Sequence, residues 1–190
     1  MRNPLLVGDR LYLRPLEVAD AETLARLTTE ESETQMERGR IPVSPLGFER
    51  WIAVAHERQP PNDVYFAVCL KADDRFIGIV NVKDIDWINR TGETGTGLGP
   101  AEIRSQGYGT EAKHLLLEYC FDRLHLHAVW SHVWEPNARS AAALAKQGYR
   151  PAGRLKWDDV KGGVYRDALL FDLLRADWLA ARDAWRAGRS

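Results

Sequence analysis

At 190 residues, the chain has the length of one domain with a sizeable core, spanning residues 1–190. Its 26 Lys and Arg residues nearly cancel its 27 Asp and Glu residues, which excludes the basic footprint of a nucleic-acid binder and a cationic membrane-surface patch. The run from Met1 to Val7 is too short for a signal peptide and nothing later approaches a membrane span, so the expected compartment is the cytoplasm.

Residues 10–14 alternate and predict a strand, followed by Pro15 and a helix over 20–28 with Asp20 as N-cap. The segment 29–45 is polar and irregular, too long for an ordinary connection, and can line a substrate cleft. A helix over 46–58 ends at Pro60-Pro61. Strands follow at 64–70 and 76–84, turning at Asp73-Asp74, and a third at 93–99. Gly95, Gly97 and Gly99 recur every second residue there, which strips one face of side chains and admits a close backbone or an extended ligand, unless the strand is simply bulged or crowded. Cys69 and Cys120 fall within apolar runs and read as buried free thiols.

The segment Arg104-Ser105-Gln106-Gly107-Tyr108-Gly109-Thr110-Glu111-Ala112 carries the most information. Two glycines stand at the mouth of an apolar helix, whose first amides lack intrahelical acceptors and whose N-terminus carries a partial positive charge of roughly +0.5. Without Cβ atoms the backbone turns sharply and a diphosphate can lie on the bare amides, with Arg104 able to add a charge-assisted bond. The same residues fit the loose G-x-G-x-x-A dinucleotide pattern, but that needs a buried strand before it, and the preceding segment is polar and proline-led. A glycine turn that merely starts a helix is the plain alternative.

Beyond it, the sequence predicts a strand over 127–134, an alanine-rich helix over 137–147 ended by Gly148, strands near 149–157 and 164–174, and a closing helix over 177–187. The whole reads as an α/β domain, with antiparallel strands before the glycine turn and a strand–helix–strand unit across it. An extended amide-bearing arm joined to a diphosphate fits a bare strand running into a phosphate turn, and coenzyme A has that shape.

These blocks resemble the GNAT superfamily of acyl-CoA N-acyltransferases, nearest its Rim-type ribosomal-protein N-terminal acetyltransferases. The resemblance runs through Leu13-Arg14-Pro15, Phe76-Ile77-Gly78, Arg104 to Ala112, Asn137-Ala138-Arg139-Ser140, Lys146-Gln147-Gly148-Tyr149 and Gly163-Val164-Tyr165-Arg166-Asp167. It implies a GNAT fold: a mixed central sheet, splayed in the middle and flanked by helices, with acetyl-CoA as cosubstrate. The implied cofactor contacts are Leu98, Arg104, Gln106, Gly107, Tyr108, Gly109, Thr110 and Asn137. Asn137 can equally serve as the N-cap of its helix.

The tyrosine many members use to protonate the leaving thiolate is replaced here by Leu144. Rim-type enzymes are proposed to use a serine three residues after the asparagine, which is Ser140 here; a small packing residue is the other reading of Ser140. An acid four residues before the block glycine corresponds to Asp159, with Asp158 beside it, and a solvated turn is the competing role. Glu93 and Glu102 are weaker candidates for the base; His132 lies on the splayed strand and can face the cleft, but a hydrogen-bonded structural histidine is the better reading. His125 and His127 lack a third ligand, so no metal is expected.

The implied reaction is direct attack of a neutral amine on acetyl-CoA. Freeing a lysine-like amine of its proton at pH 7 costs about 4.6 kcal/mol, against about 1 for an α-amine. A site with neither a tyrosine acid nor a clear base therefore favours the amine of a peptide or protein N-terminus, an amino acid or an amino sugar. Polyamine or antibiotic acetylation and a non-catalytic CoA-binding sensor or assembly module are the alternatives, and a homodimer is a possible assembly.

Overall fold

The computed structural model describes residues 1–30, 44–55, 57, 59–99, 101–161 and 163–188. Most of the expected cleft-lining segment, residues 31–43, lies outside them.

The strands are β1 (Leu6–Val7), β2 (Leu11–Pro15), β3 (Val64–Leu70), β4 (Phe76–Asp86), β5 (Thr91–Leu98), β6 (Ala128–Trp134), β7 (Arg150–Lys161) and β8 (Val164–Leu174). The helices are α1 (Ala21–Glu30), α2 (Pro45–Ala55), α3 (Tyr108–Glu118), α4 (Ala138–Lys146) and α5 (Arg175–Ala187). The strands form one sheet in the order β1-β2-β3-β4-β5-β6-β8-β7. Every pairing is antiparallel except β5 with β6, which α3 connects. This is the expected mixed sheet with flanking helices.

Period-two alternation sends the sheet's side chains into two cores. Leu11, Leu13, Phe66, Val68, Ile77, Val80 and Val82 meet Ala112, Leu116 and Leu117 of α3 and Trp178 of α5. On the other face, Tyr12, Ala67 and Cys69 meet Leu24 and Ala25 of α1 and Phe48 and Ile52 of α2. Both cysteines are free and buried. Farther across that second face, Trp130 and His132 of β6 remain substantially exposed.

Several local expectations are corrected. The two-residue strand β1 is too short to leave a periodic signature. Asp20 is not the N-cap of α1: it ends a 3-10 turn, Val18–Asp20, and its buried carboxylate accepts two bonds from Arg14 and one from the Glu17 N–H. That carboxylate anchors a cation brought in by β2, so a local capping rule misses its partner. Helix α3 continues into a π turn at Tyr119–Arg123. The β7 strand runs on to Lys161, with register shifts between Pro151 and Gly153 and between Leu155 and Asp159.

The glycine-stripped face of β5 is largely filled rather than bare. A Cβ on Gly95 would stand 2.7 Å from the Asn81 Oδ1, and one on Gly99 would stand 2.4 Å from Leu27. Only Gly97 has ordinary clearance, with Ile79 at 3.8 Å. The glycines make room for Asn81 of the neighbouring strand and for α1.

Candidate active site

The parallel pairing of β5 and β6 lasts three residue pairs, Thr91↔Ala128, Gly92↔Val129 and Glu93↔Trp130, and then stops. Side chains take over at the point of divergence. Ser131 Oγ donates to Thr94 O (2.8 Å), and Thr94 Oγ1 donates to Trp130 O (3.2 Å). Thr94 Oγ1 also lies 2.6 Å from the buried Tyr149 hydroxyl, and Lys113 Nζ sits 5.5 Å over the Tyr149 ring. Burial pushes the Lys113 amine down to about 7. Past Thr94 the strands separate, so backbone groups of β5 lose their lateral partner and can pair with an extended amide-bearing ligand. Leu98 lies at this open end, in register with Gly78 on β4.

The glycine turn lies just beyond. Gly107 is the N-cap of α3 at φ +82°, a left-handed conformation that suits a residue without Cβ, and among the described residues no side chain caps the helix. The amides of Tyr108, Gly109 and Thr110 therefore begin a helix of 11 residues with no side-chain acceptor supplied. That vacant cap is the observation that fits a diphosphate here.

Glu111, the acid of the first turn, does not compete for that site. Its buried carboxylate turns toward β2 and accepts bonds from the Arg10 backbone N–H (2.8 Å), Arg10 Nε (3.0 Å) and the Leu11 N–H (3.3 Å). Burial raises the Glu111 carboxyl, but these donors and the Arg10 charge hold it below its ordinary value. Arg10 then reaches back with Nη1 to the Gln106 carbonyl (2.8 Å) and stacks on the Tyr108 ring at 4.5 Å. It buttresses the turn from 96 residues away in sequence. No motif marks it, because its role comes entirely from the docking of β2 beside α3.

Arg104 donates to the Gly99 carbonyl (3.0 Å) and so links the end of β5 to the glycine turn. Gln106 Nε2 bonds the Glu102 carbonyl. Asn137 caps α4, its Oδ1 accepting from the Ser140 N–H at 3.2 Å. Ser140 is half-buried on the first turn of α4, which follows β6 after a short turn. Leu144 is buried in the core below it.

On the exposed face at the same divergence, Glu93 Oε1 lies 3.2 Å from Lys83 Nζ and 3.2 Å from His132 Nδ1. Burial pushes the Glu93 carboxyl up, yet the His132 hydrogen bond and the Lys83 charge bring it below its ordinary value. The hydrogen bond to Glu93 raises His132, against burial and Lys83, and Asp158 adds to the rise. Asp158 is brought in by the β7 bulge. Asp167 ties that bulge down, accepting from the Trp157 N–H (2.9 Å) and from Arg154 Nε. Asp159 Oδ1 accepts the Val160 N–H at 2.7 Å, and Asp159 pairs in register with Arg166 of β8. Glu102 instead pairs with Arg75 at the surface. Among the described residues no three side chains gather as a metal site.

A family model for the acetyltransferase (GNAT) domain matches residues 10–150. A probable N-acetyltransferase of Bacillus subtilis, YjcK, is 30% identical over 179 residues, covering 91% of this chain and 98% of that protein. Among solved structures, the Vibrio cholerae spermidine N-acetyltransferase in complex with CoA and spermine superposes with a TM-score of 0.82 at 22% identity, covering 90% of this chain and 99% of that one. The ribosomal-protein-S5-alanine acetyltransferase of Vibrio fischeri gives a TM-score of 0.79 at 21% identity over 90% and 97% of the two chains.

Proposed function

Because the chain belongs to the GNAT acetyltransferase family and moves an acetyl group from acetyl-CoA to an amine, we propose that its acceptor is a low-pKa primary amine. The α-amine of a protein or peptide N-terminus, an amino acid or an amino sugar fits this description. The observation that carries the choice is Leu144, buried in the core at the position where many family members place a thiolate-protonating tyrosine. Without that acid, an amine that sheds its proton at a cost of about 1 kcal/mol is the better match. Glu93 supports the same reading. A polyamine's distal cation seeks an uncommitted carboxylate, and Glu93 already holds Lys83 and His132. The reading covers residues 1–190 as one domain in a reducing cytoplasm, in keeping with two free buried thiols.

The cofactor's diphosphate rests on the amides from Gln106 to Thr110. Gly107 supplies the left-handed turn, Gly109 the close approach, and Tyr108 packs beneath Arg10. Arg104 holds the turn to β5, while Leu98 and Asn137 meet the pantetheine arm. Ser140 donates toward the departing thiolate, and Asp159 orients the incoming ammonium or a water on it. The exposed apolar side chains Leu155, Trp157, Val164 and Tyr165 on the β7–β8 hairpin support self-association as a homodimer.

An acetyl-transfer screen against alanine-initiated peptides, amino acids, aminoglycosides and spermidine tests the acceptor. Peptide, amino-acid or amino-sugar turnover well above spermidine turnover is expected, and the reverse ranking rejects the reading. Ser140→Ala should lower turnover by roughly tenfold to a hundredfold with unchanged acetyl-CoA affinity; parent-like rates across a pH series would reduce the serine to packing. Asp159→Asn should slow turnover most near pH 6–7 and recover as the pH nears the acceptor's own pKa. An overlaid pH–rate profile would move that role elsewhere.

A further inference from the structure

Resting on the acetyl-transfer reading above, we propose that His132 takes the proton from the acceptor ammonium at Nε2, and that Glu93 is the positioning residue that holds its ring. Glu93↔Trp130 is the last pair before β5 and β6 diverge, and His132 is the next residue of β6 on the same face. It stands at the root of the opening, where the acceptor must meet the thioester.

The ring is held from one side only. Nδ1 faces Glu93 Oε1 at 3.2 Å, while no described residue bonds Nε2, and the side chain is 46% exposed. A histidine kept for structure is ordinarily buried with both nitrogens satisfied. Here one nitrogen is committed and the other faces solvent, the arrangement of a base with an orienting carboxylate. Asn81 adds a second acceptor on the same face. Its Oδ1 is buried without a hydrogen-bond partner and packs across Gly95.

The proton balance closes. One N–H bond of the ammonium breaks and its proton moves to Nε2. The freed lone pair forms the C–N bond to the acetyl carbon, and the C–S bond breaks with its electron pair on sulfur. The second proton shed by nitrogen, relayed by Ser140, neutralises the thiolate, and the imidazolium returns its proton to water. Among the described residues, the charged groups that act on His132 are Lys83 from β4, Glu93 from β5 and Asp158 from β7, while β8 presents the apolar Leu170 opposite it and Asp172 opposite Trp130, two residues along the same face. Glu93 and Asp158 raise the imidazole and Lys83 lowers it. The neutral base is therefore lost as pH falls through a value above that of free imidazole.

The test combines NMR titration of the His132 ring, acetyl-CoA affinity by calorimetry, and single-turnover acetylation of an alanine-initiated peptide from pH 5.5 to 9. In the parent, the acid limb of the rate should coincide with the ring's titration. Glu93→Gln should move both to lower pH together, and His132→Gln should lower the rate roughly a hundredfold with acetyl-CoA affinity retained. A parent-like rate in His132→Gln, or a limb that stays while the ring's titration moves, overturns the proposal. Should Glu93→Gln fail to fold, Lys83→Met should shift limb and titration to higher pH instead. If the parent binds acetyl-CoA but acetylates none of the peptides, amino acids, aminoglycosides and spermidine of the acceptor screen, the acetyl-transfer reading fails. The ring titration then decides the Glu93–His132 pair alone: a value above free imidazole that falls in Glu93→Gln keeps it, and an unmoved one rejects it.

Discussion

Gly109→Val should weaken acetyl-CoA binding at least a hundredfold, roughly 2.8 kcal/mol, while leaving the fold in place. Tyr108, Gly109 and Thr110 open α3 with no side-chain cap, and Glu111 is turned away toward Arg10 and Leu11. A diphosphate on these amides gains charge-assisted bonds worth about 1.5–3 kcal/mol each, so losing two of them accounts for the whole effect. Valine puts branched carbon where the anion must approach, and in the first turn of a helix its propensity cost is below about 1 kcal/mol. Calorimetry with CoA and a thermal melt separate the two consequences. A folded Gly109→Val protein with parent affinity would remove the diphosphate from this turn. Arg104→Ala should weaken binding less, because its guanidinium is already engaged with the Gly99 carbonyl.

The largest effect on stability is expected at Arg14. Its guanidinium donates to both Asp20 carboxylate oxygens, at 2.8 and 2.7 Å, and to the Pro15 carbonyl at 3.0 Å. Both side chains are almost wholly buried, at 5% and 7% exposure. Arg14→Leu leaves the carboxylate stranded in an apolar layer, at a cost of about 3–5 kcal/mol. For a chain of this size that is a fall of roughly 6–20 °C in melting temperature. Removing both charges with Arg14→Leu and Asp20→Leu together should recover much of the loss, because no lone ion then remains buried. Chemical denaturation of the two single variants and the double variant reads this directly. Equal stability of Arg14→Leu and the parent would show that Asp20 finds another partner or reaches water. The pair also seats the 3-10 turn before α1, so a loosened turn should disturb the helix that packs against Gly99 through Leu27.

The two stretches expected at 64–70 and 164–174 are β3 and β8 to the residue. Alternating β-branched and aromatic side chains with turn residues at each end are local properties, and one stretch of chain carries them whole. The glycine turn was legible for the same reason: Gly107 needs φ > 0, and an apolar helix without a cap residue starts beside it. The order of the family blocks then implied the sheet and its splay. What one chain segment cannot encode is the partner that another segment delivers. Asp20 follows local rules as a helix cap, and β2 turns it into half of a buried ion pair. The glycines of β5 follow local rules as a bare face, and Asn81 and Leu27 fill it.

By itself, then, the sequence carried the fold family and the acetyl-CoA chemistry in the order of its GNAT-like blocks, and it carried the glycine turn because a left-handed residue at the mouth of an apolar helix is a local backbone demand. The tertiary structure decided which charges meet at the splay. Arg10 reaches the turn from 96 residues away, and Glu93 gathers Lys83 from one neighbouring strand and His132 from the other. The β7 bulge carries Asp158 toward that ring. A shift of one residue in any of these registers would turn the side chains to the opposite face, so strand pairing, which sequence periodicity leaves open, sets the geometry of the site.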